Sequence, residues 1–337
     1  MRLARSRSTL LMAVTAVVLV ISQFSGFASA ATSTKTTVDP SKNVANSFKL
    51  SPLRSDLKLD PGGTGTVKIY VTNISGQSTV LKPIENDFVS GDEKGTPSII
   101  LDQNSYAPSH SLKRFMVPLP NVTVAAGATQ EVDVRVVVPK TALAGGYYGA
   151  LRFAPAGTSG QPVDLSASVV SLILLTVTGP TVEQLTLTNF DVQQNGGTAT
   201  NFRTPDNLSL MLRFQNKGNI QEGPFGQVNV QKGKKVVYRY QFNQSEPRNE
   251  VLPDSARRWD IPLKNLGKFG KYTITGTFGY GAQGTTINIE KSVWVVPTAY
   301  IMAIVIAVVV LIALGGGGYM FLRSYKRKIL RSSRRRY

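Results

Sequence analysis

Thr66-Val67-Lys68-Ile69-Tyr70-Val71-Thr72-Asn73 and Glu131-Val132-Asp133-Val134-Arg135-Val136-Val137-Val138 decide the fold class. In the first run Val67, Ile69 and Val71 alternate with polar neighbours. In the second, Val132, Val134, Val136 and Val138 stand opposite Glu131, Asp133 and Arg135. A period of two buries one face of a β-sheet. Each run follows a glycine turn, Pro61-Gly62-Gly63 or Ala126-Gly127-Ala128. No stretch between 47 and 296 carries a helical apolar stripe. Ser168 to Val177 (SVVSLILLTV) is continuously apolar and stops at Gly179-Pro180, which predicts a strand covered on both faces. After Pro180 come Leu185–Val192, Leu208–Asn216, Gly226–Gln231, Val236–Phe242, Arg257–Leu263, Tyr272–Tyr280 and Thr285–Val295. Strands at a spacing of roughly ten residues, with Gly, Pro and Asn between them, predict β-sandwiches. The expected class is all-β, with two tandem immunoglobulin-like sandwiches over 47–179 and 180–296. Thr72-Asn73-Ile74-Ser75-Gly76 and Gln215-Asn216-Lys217-Gly218-Asn219 read as hairpin turns in which Asn and Gly supply φ > 0.

The rest of the chain concerns location. There are 38 Lys+Arg, 20 Asp+Glu, one His and no Cys in 337 residues. The missing cysteines exclude disulfide scaffolds, zinc fingers and cysteine nucleophiles. Eleven basic residues lie in two terminal runs, Arg2 to Arg7 and Arg323 to Arg336, so 27 remain against 20 acids between them. The first run precedes thirteen largely apolar residues, Thr9 to Ile21, and then Ala28-Ser29-Ala30. That pattern predicts a secretory signal peptide over 1–30, followed by a flexible polar spacer over 31–46. Pro297 to Leu322 is 26 residues without a charge, long enough to cross a bilayer as a helix. The basic tail, 323–337, then predicts a single-pass type I protein of the cell membrane, with the ectodomain extracytoplasmic. Basic residues directly after a span leave no reason to invoke nucleic acid. Ala299, Ala303 and Ala307 have the small-xxx-small spacing of paired helices, so a homo-oligomer through the span is expected.

Candidates for chemistry are few. Asp87, Asp92 and Glu93 offer hard oxygen donors for calcium, but the alternating spacing of such a loop is absent and Lys94 intervenes. His110 lies among serines without a nucleophile elbow, which favours a plain loop histidine. Tyr147 and Tyr148 follow Gly145-Gly146, and neighbours on a strand face opposite ways. They are the candidate ligand-binding residues, either as a stacking or anchoring ring or as edge-strand tyrosines with bonded hydroxyls. Trp259 is expected between the sheets, with Arg257 and Arg258 beside it, and Lys232-Gly233-Lys234-Lys235 reads as a hairpin tip. No catalytic residue, metal site or cofactor is expected.

Pro61-Gly62 through Thr72-Asn73, Asn86-Asp87-Phe88 with Gly95-Thr96-Pro97, and Val138-Pro139 through Gly145-Gly146-Tyr147-Tyr148-Gly149-Ala150-Leu151-Arg152-Phe153 resemble the WxL-interacting protein family. The resemblance implies a bacterial surface protein whose first immunoglobulin-like domain engages peptidoglycan and whose second engages partner or host proteins. The expected function is therefore non-enzymatic: a membrane-anchored adhesin or scaffold that binds cell-wall glycan, other surface proteins, or both. Two alternatives accompany it, a surface assembly chaperone whose open sheet edge accepts a client strand and a cell-wall hydrolase.

Overall fold

The computed structural model describes residues 47–156 and 168–333, with side chains as far as 326. The predicted signal peptide (1–30), the spacer (31–46) and the last residues of the basic tail lie outside the described residues.

Among the described residues nine strands build the first sandwich: β1 (Phe48–Ser51), β2 (Arg54–Leu59), β3 (Thr64–Asn73), β4 (Thr79–Ser90), β5 (Pro97–Ile99), β6 (Val122–Val124), β7 (Thr129–Val137), β8 (Gly145–Pro155) and β9 (Val169–Val177). One sheet has the order β1-β3-β7. The other has the order β2-β9-β8-β4-β5, with β6 also on β4. The chain changes sheet at the cis Ser51–Pro52 peptide, so β1 runs antiparallel to β3 while β2 runs parallel to β9. The alternating residues do what their period requires. Ile69, Val71, Val134 and Val136 from one sheet meet Leu151, Phe153, Ile173 and Leu175 from the other, all buried.

The second sandwich comprises β10 (Leu185–Gln194), β11 (Gly197–Thr198), β12 (Asn201–Phe202), β13 (Leu208–Asn216), β14 (Phe225–Lys232), β15 (Lys235–Phe242), β16 (Ala256–Pro262), β17 (Gly270–Tyr280) and β18 (Thr285–Val295). Its sheets have the orders β11-β10-β13-β16 and β12-β18-β17-β14-β15. Phe214, Phe242 and Phe278 pack edge-to-face or stacked at the centre, and Trp259 sets its ring edge against Phe214 and Phe242 at 5.8 and 5.3 Å. All seven expected strands are present within two residues; only the two-residue β11 and β12 were not foreseen, being too short to show a period. Beyond β18 a single helix, α1 (Thr298–Ser333), carries the uncharged stretch, and among the described residues it is the one helix long and apolar enough to cross a membrane.

One expectation about the turns is corrected. Asn73 and Asn216 end strands whose chains do not double back as hairpins: β3 and β4, like β13 and β14, belong to opposite sheets. Neither Asn has positive φ. Both are fully buried and act as hydrogen-bond clamps under the arch between the sheets. Asn73 donates from Nδ2 to the Gln77 and Val124 carbonyls and accepts the Ser75 N–H at Oδ1. Asn216 donates to the Ile220 and Val251 carbonyls and accepts the Gly218 N–H. The short amide meets backbone groups two and four residues ahead and ties them to Val124 of β6 in the first sandwich and to Val251, ahead of β16, in the second.

Replacing Asn216 by Ala strands two carbonyls in a buried site, and about 3 kcal/mol of stability should be lost. Asn216→Asp puts an acceptor against both carbonyls and should cost more at neutral pH. Urea unfolding of the purified full chain measures both, and wild-type stability in either variant would refute the clamp.

Candidate functional site

Residues of β8 alternate between two faces. Leu151 and Phe153 point into the first core, whereas Tyr148 and Ala150 point outward with Phe88 of β4 and Leu174 of β9. That second face is not left to solvent. Leu252 of the second sandwich packs against it, with Val170, Leu172 and Ile99 around the rim. A cavity of about 200 Å³ remains, walled by Phe88, Leu172 and Leu174 on one side and Leu252, Arg248 and Arg257 on the other.

Polar bonds hold the two sandwiches around this trough. Tyr148 Oη donates to Gln221 Oε1 at 2.8 Å, the Gly146 N–H donates to the Asn219 carbonyl at 2.8 Å, and Asn219 Nδ2 donates to the Ala144 carbonyl at 2.9 Å. Gly145 has φ of 143° and its missing side chain lets the Asn219 carbonyl approach to where a Cβ would stand. Arg54 bridges to Glu250 and Arg213 to Glu93, each at 2.7 Å. Burial pushes the Glu250 carboxyl above its ordinary range, and the opposing Arg54 charge does not undo it. Glu222 is 4% exposed, and burial, reinforced by the Glu183 charge, pushes it up to about 7 against the pull of the Gly281 N–H.

The two tyrosines selected from sequence do face opposite ways, and both are engaged. Tyr147 packs its ring on Phe115 with centroids 4.8 Å apart and donates to the Leu143 carbonyl. Tyr148 is 3% exposed, with its hydroxyl spent on Gln221. His110 supports this strand rather than a nucleophile: its Nδ1 lies 2.6 Å from the Gly146 carbonyl and its own carbonyl accepts the Tyr148 N–H. The three calcium candidates are consumed separately. Asp87 caps the Ala107 and Lys113 N–H groups, Asp92 caps Lys94 and Thr96, and Glu93 pairs with Arg213. Backbone donors at Thr96 hold the Asp92 carboxyl below its usual range. Among the described residues no group of three or more His, Asp or Glu is arranged to hold a metal ion.

Two features of the trough had no signal in the sequence. Arg152 stands on the trough face of β8, two residues beyond Ala150 and cross-strand from Val170. It is 1% exposed, and its three guanidinium nitrogens have no hydrogen-bond partner among the described residues. The second is an overhang. Pairing of β2 with β9 begins at Arg54 and Leu172, and Ser171 is still tied to the incoming chain by its hydroxyl, which donates to the Pro52 carbonyl at 2.8 Å, so Val169 and Val170 project past it. The Leu172 N–H donates toward Leu53, and the Val170 N–H, two residues earlier, points to the same side with no described strand beside it.

No family model matches the chain, and no curated protein matches it. Solved structures do align with it. The class 5 fimbriae chaperone CfaA is 12% identical with a TM-score of 0.37, covering 74% of this chain and 99% of its own. The SafB chaperone in complex with SafA pilin from Salmonella enterica is 14% identical with a TM-score of 0.33, covering 73% and 95%. The E. coli chaperone DraB is 17% identical with a TM-score of 0.30, covering 73% and 96%. The resemblance to WxL-interacting proteins is therefore corrected: fimbrial chaperones stand among the similar structures. The residues that carried it, turn glycines, prolines and alternating valines, are what any such sandwich requires.

The Glu222 environment makes the joint pH-sensitive. Its folded value lies above an unfolded value near 4.5, so the folded chain holds the proton more tightly between the two. Stability should fall as pH rises from about 4.5 through 7, by on the order of 3 kcal/mol, and level off above. Glu222→Gln should flatten most of that slope, leaving the smaller part of Glu250. Thermal melts across this range measure it, and an unchanged slope in the variant would exclude Glu222 as the source.

Proposed function

We propose that this chain is a non-enzymatic surface assembly chaperone, anchored by α1 with its ectodomain outside the membrane and its basic tail inside. It holds an extended client segment as an added strand. The overhang of β9 carries this reading, because at Val170 it offers backbone groups without a partner strand among the described residues, directly beside an apolar trough. Strand addition draws affinity from main-chain hydrogen bonds and specificity from pockets for alternate side chains. Here the trough accepts an apolar side chain between Leu172, Leu174 and Leu252.

Other open edges are less suited. Natural sheets blunt exposed edges with charge. β15 carries Lys235 and Arg239, and β7 carries Glu131, Asp133 and Arg135. Val169, Val170 and Ser171 carry none. Fimbrial chaperones appear among the similar structures, one of them bound to its pilin, but the reading rests on the geometry of this chain. Glycan binding had entered with the family resemblance and has no separate support: neither tyrosine presents a free ring.

Val170→Pro tests the proposal with little disturbance of the fold. Its N–H points to the open side, and proline is tolerated on an edge when that group is unbonded. A photo-crosslinker at Val169 in the full chain should capture a client polypeptide in cells. The capture should drop at least about tenfold with Val170→Pro, the loss expected for one or two backbone hydrogen bonds. Equal capture by a variant that melts like wild type would sink strand addition.

A further inference from the structure

The end of the second sandwich nearest α1 gathers four loops, at residues 195–207, 232–235, 263–271 and 294–300. β14 ends at Lys232, β17 begins at Gly270, and Gly270 pairs with Val295 at the end of β18, three residues before the helix. β12 pairs with the same end, Asn201 with Trp294. Strand register therefore brings the loops to one face. They contain Lys232, Lys234, Lys235, Lys264, Lys268, Lys271 and Arg203 against the single acid Asp206. All seven basic residues are exposed, and among the described residues none forms an ion pair. Lys232 instead donates to the Phe269 carbonyl and lies over the Tyr272 ring, which fixes the Lys268–Phe269 loop against the hairpin.

Three aromatic rings share this face with the lysines. Phe269, Trp294 and Tyr300 are 46%, 43% and 52% exposed, and Phe269 stacks on Tyr300 in the first turn of α1 with centroids 5.2 Å apart. Three residues of chain span at most about 11 Å, so the sandwich's last strand ends within about one Debye length of wherever the apolar helix begins. A cationic face rimmed by amphipathic rings, held that close to a hydrocarbon span, matches the interfacial zone of a bilayer.

We propose that this face docks onto the anionic headgroups of the leaflet from which the ectodomain emerges, seating the second sandwich against the membrane. The inference rests on reading α1 as a membrane span, and the test separates the two. The chain has no cysteine, so one introduced thiol carries one fluorophore. Full-length protein labelled at Thr198→Cys, in the loop set, or at Gly316→Cys, within the helix, is reconstituted into vesicles. One set is phosphatidylcholine alone and the other is three parts phosphatidylcholine to one part phosphatidylglycerol. Spin-labelled acyl chains should quench the helix label in both. A headgroup quencher should quench the loop label at least about threefold more in the anionic vesicles, and the excess should vanish with added salt or with Lys234→Ser, Lys235→Ser and Lys268→Ser combined. A quenched helix label with equal loop quenching in both lipids overturns the docking and leaves the span intact. An unquenched helix label removes the span and the docking with it. A loop label that answers soluble poly(glycerol phosphate) but not anionic lipid also overturns it, by assigning the face to a wall polymer.

Discussion

Each sandwich depends on one buried amide. Burial of valine, leucine and phenylalanine drives two sheets together, but that force has no direction and does not say where the chain should cross from one sheet to the other. Asn73 and Asn216 supply the direction. In both, the backbone N–H donates to the residue just before the neighbouring strand of its own sheet, Ala128 ahead of β7 in one case and Ser255 ahead of β16 in the other, while the side chain reaches a carbonyl four residues before that point, Val124 or Val251. Both amide hydrogens and the amide oxygen are satisfied, as a fully buried side chain requires. The two domains thus repeat a hydrogen-bond device that composition and spacing conceal.

The joint between the sandwiches follows a different logic. Its centre is apolar, with Phe88, Tyr148, Ala150 and Leu174 packed against Leu252, and its rim is charged, with Arg54, Glu250, Glu93 and Arg213 crossing the boundary. A rim pair half open to water adds little stability, so the ion pairs set alignment while the apolar patch supplies attraction. Glu222 stands behind the rim with a second carboxylate near it, and its proton becomes part of the joint. Among the described residues, Arg152 keeps unmet donors and the outer side of Val170 has no neighbouring strand, cross-strand from one another on β8 and β9, where a fully self-sufficient fold would leave neither.

Much of the architecture was legible because β-structure writes itself in alternation. Leu208–Asn216 and Thr285–Val295 were read to the residue, and Trp259 was placed in the second core, since a period of two and a large aromatic leave little choice. The turn at Asn73 was misread for a local reason. Asn followed by Ser and Gly suits a hairpin, and nothing in five residues tells whether the next strand returns to the same sheet. The tyrosines were legible as a pair with opposite faces but not as covered residues. Tyr148 is hidden by Gln221 and Tyr147 by Phe115, contacts made 73 and 32 positions away in sequence.

Sequence alone therefore determined the strands, the apolar C-terminal helix and the distribution of charge, because each is a local property of neighbouring side chains. Tertiary structure decided the crossing of the sheets, the trough between the sandwiches, the half-buried overhang at Val169 and Val170, and the gathering of seven basic residues beside the helix. These depend on which distant segments meet. A register shared by β14, β17 and β18 joins Lys232, Gly270 and Trp294 at one end of a sheet, and no stretch of sequence short enough to read for pattern contains all three.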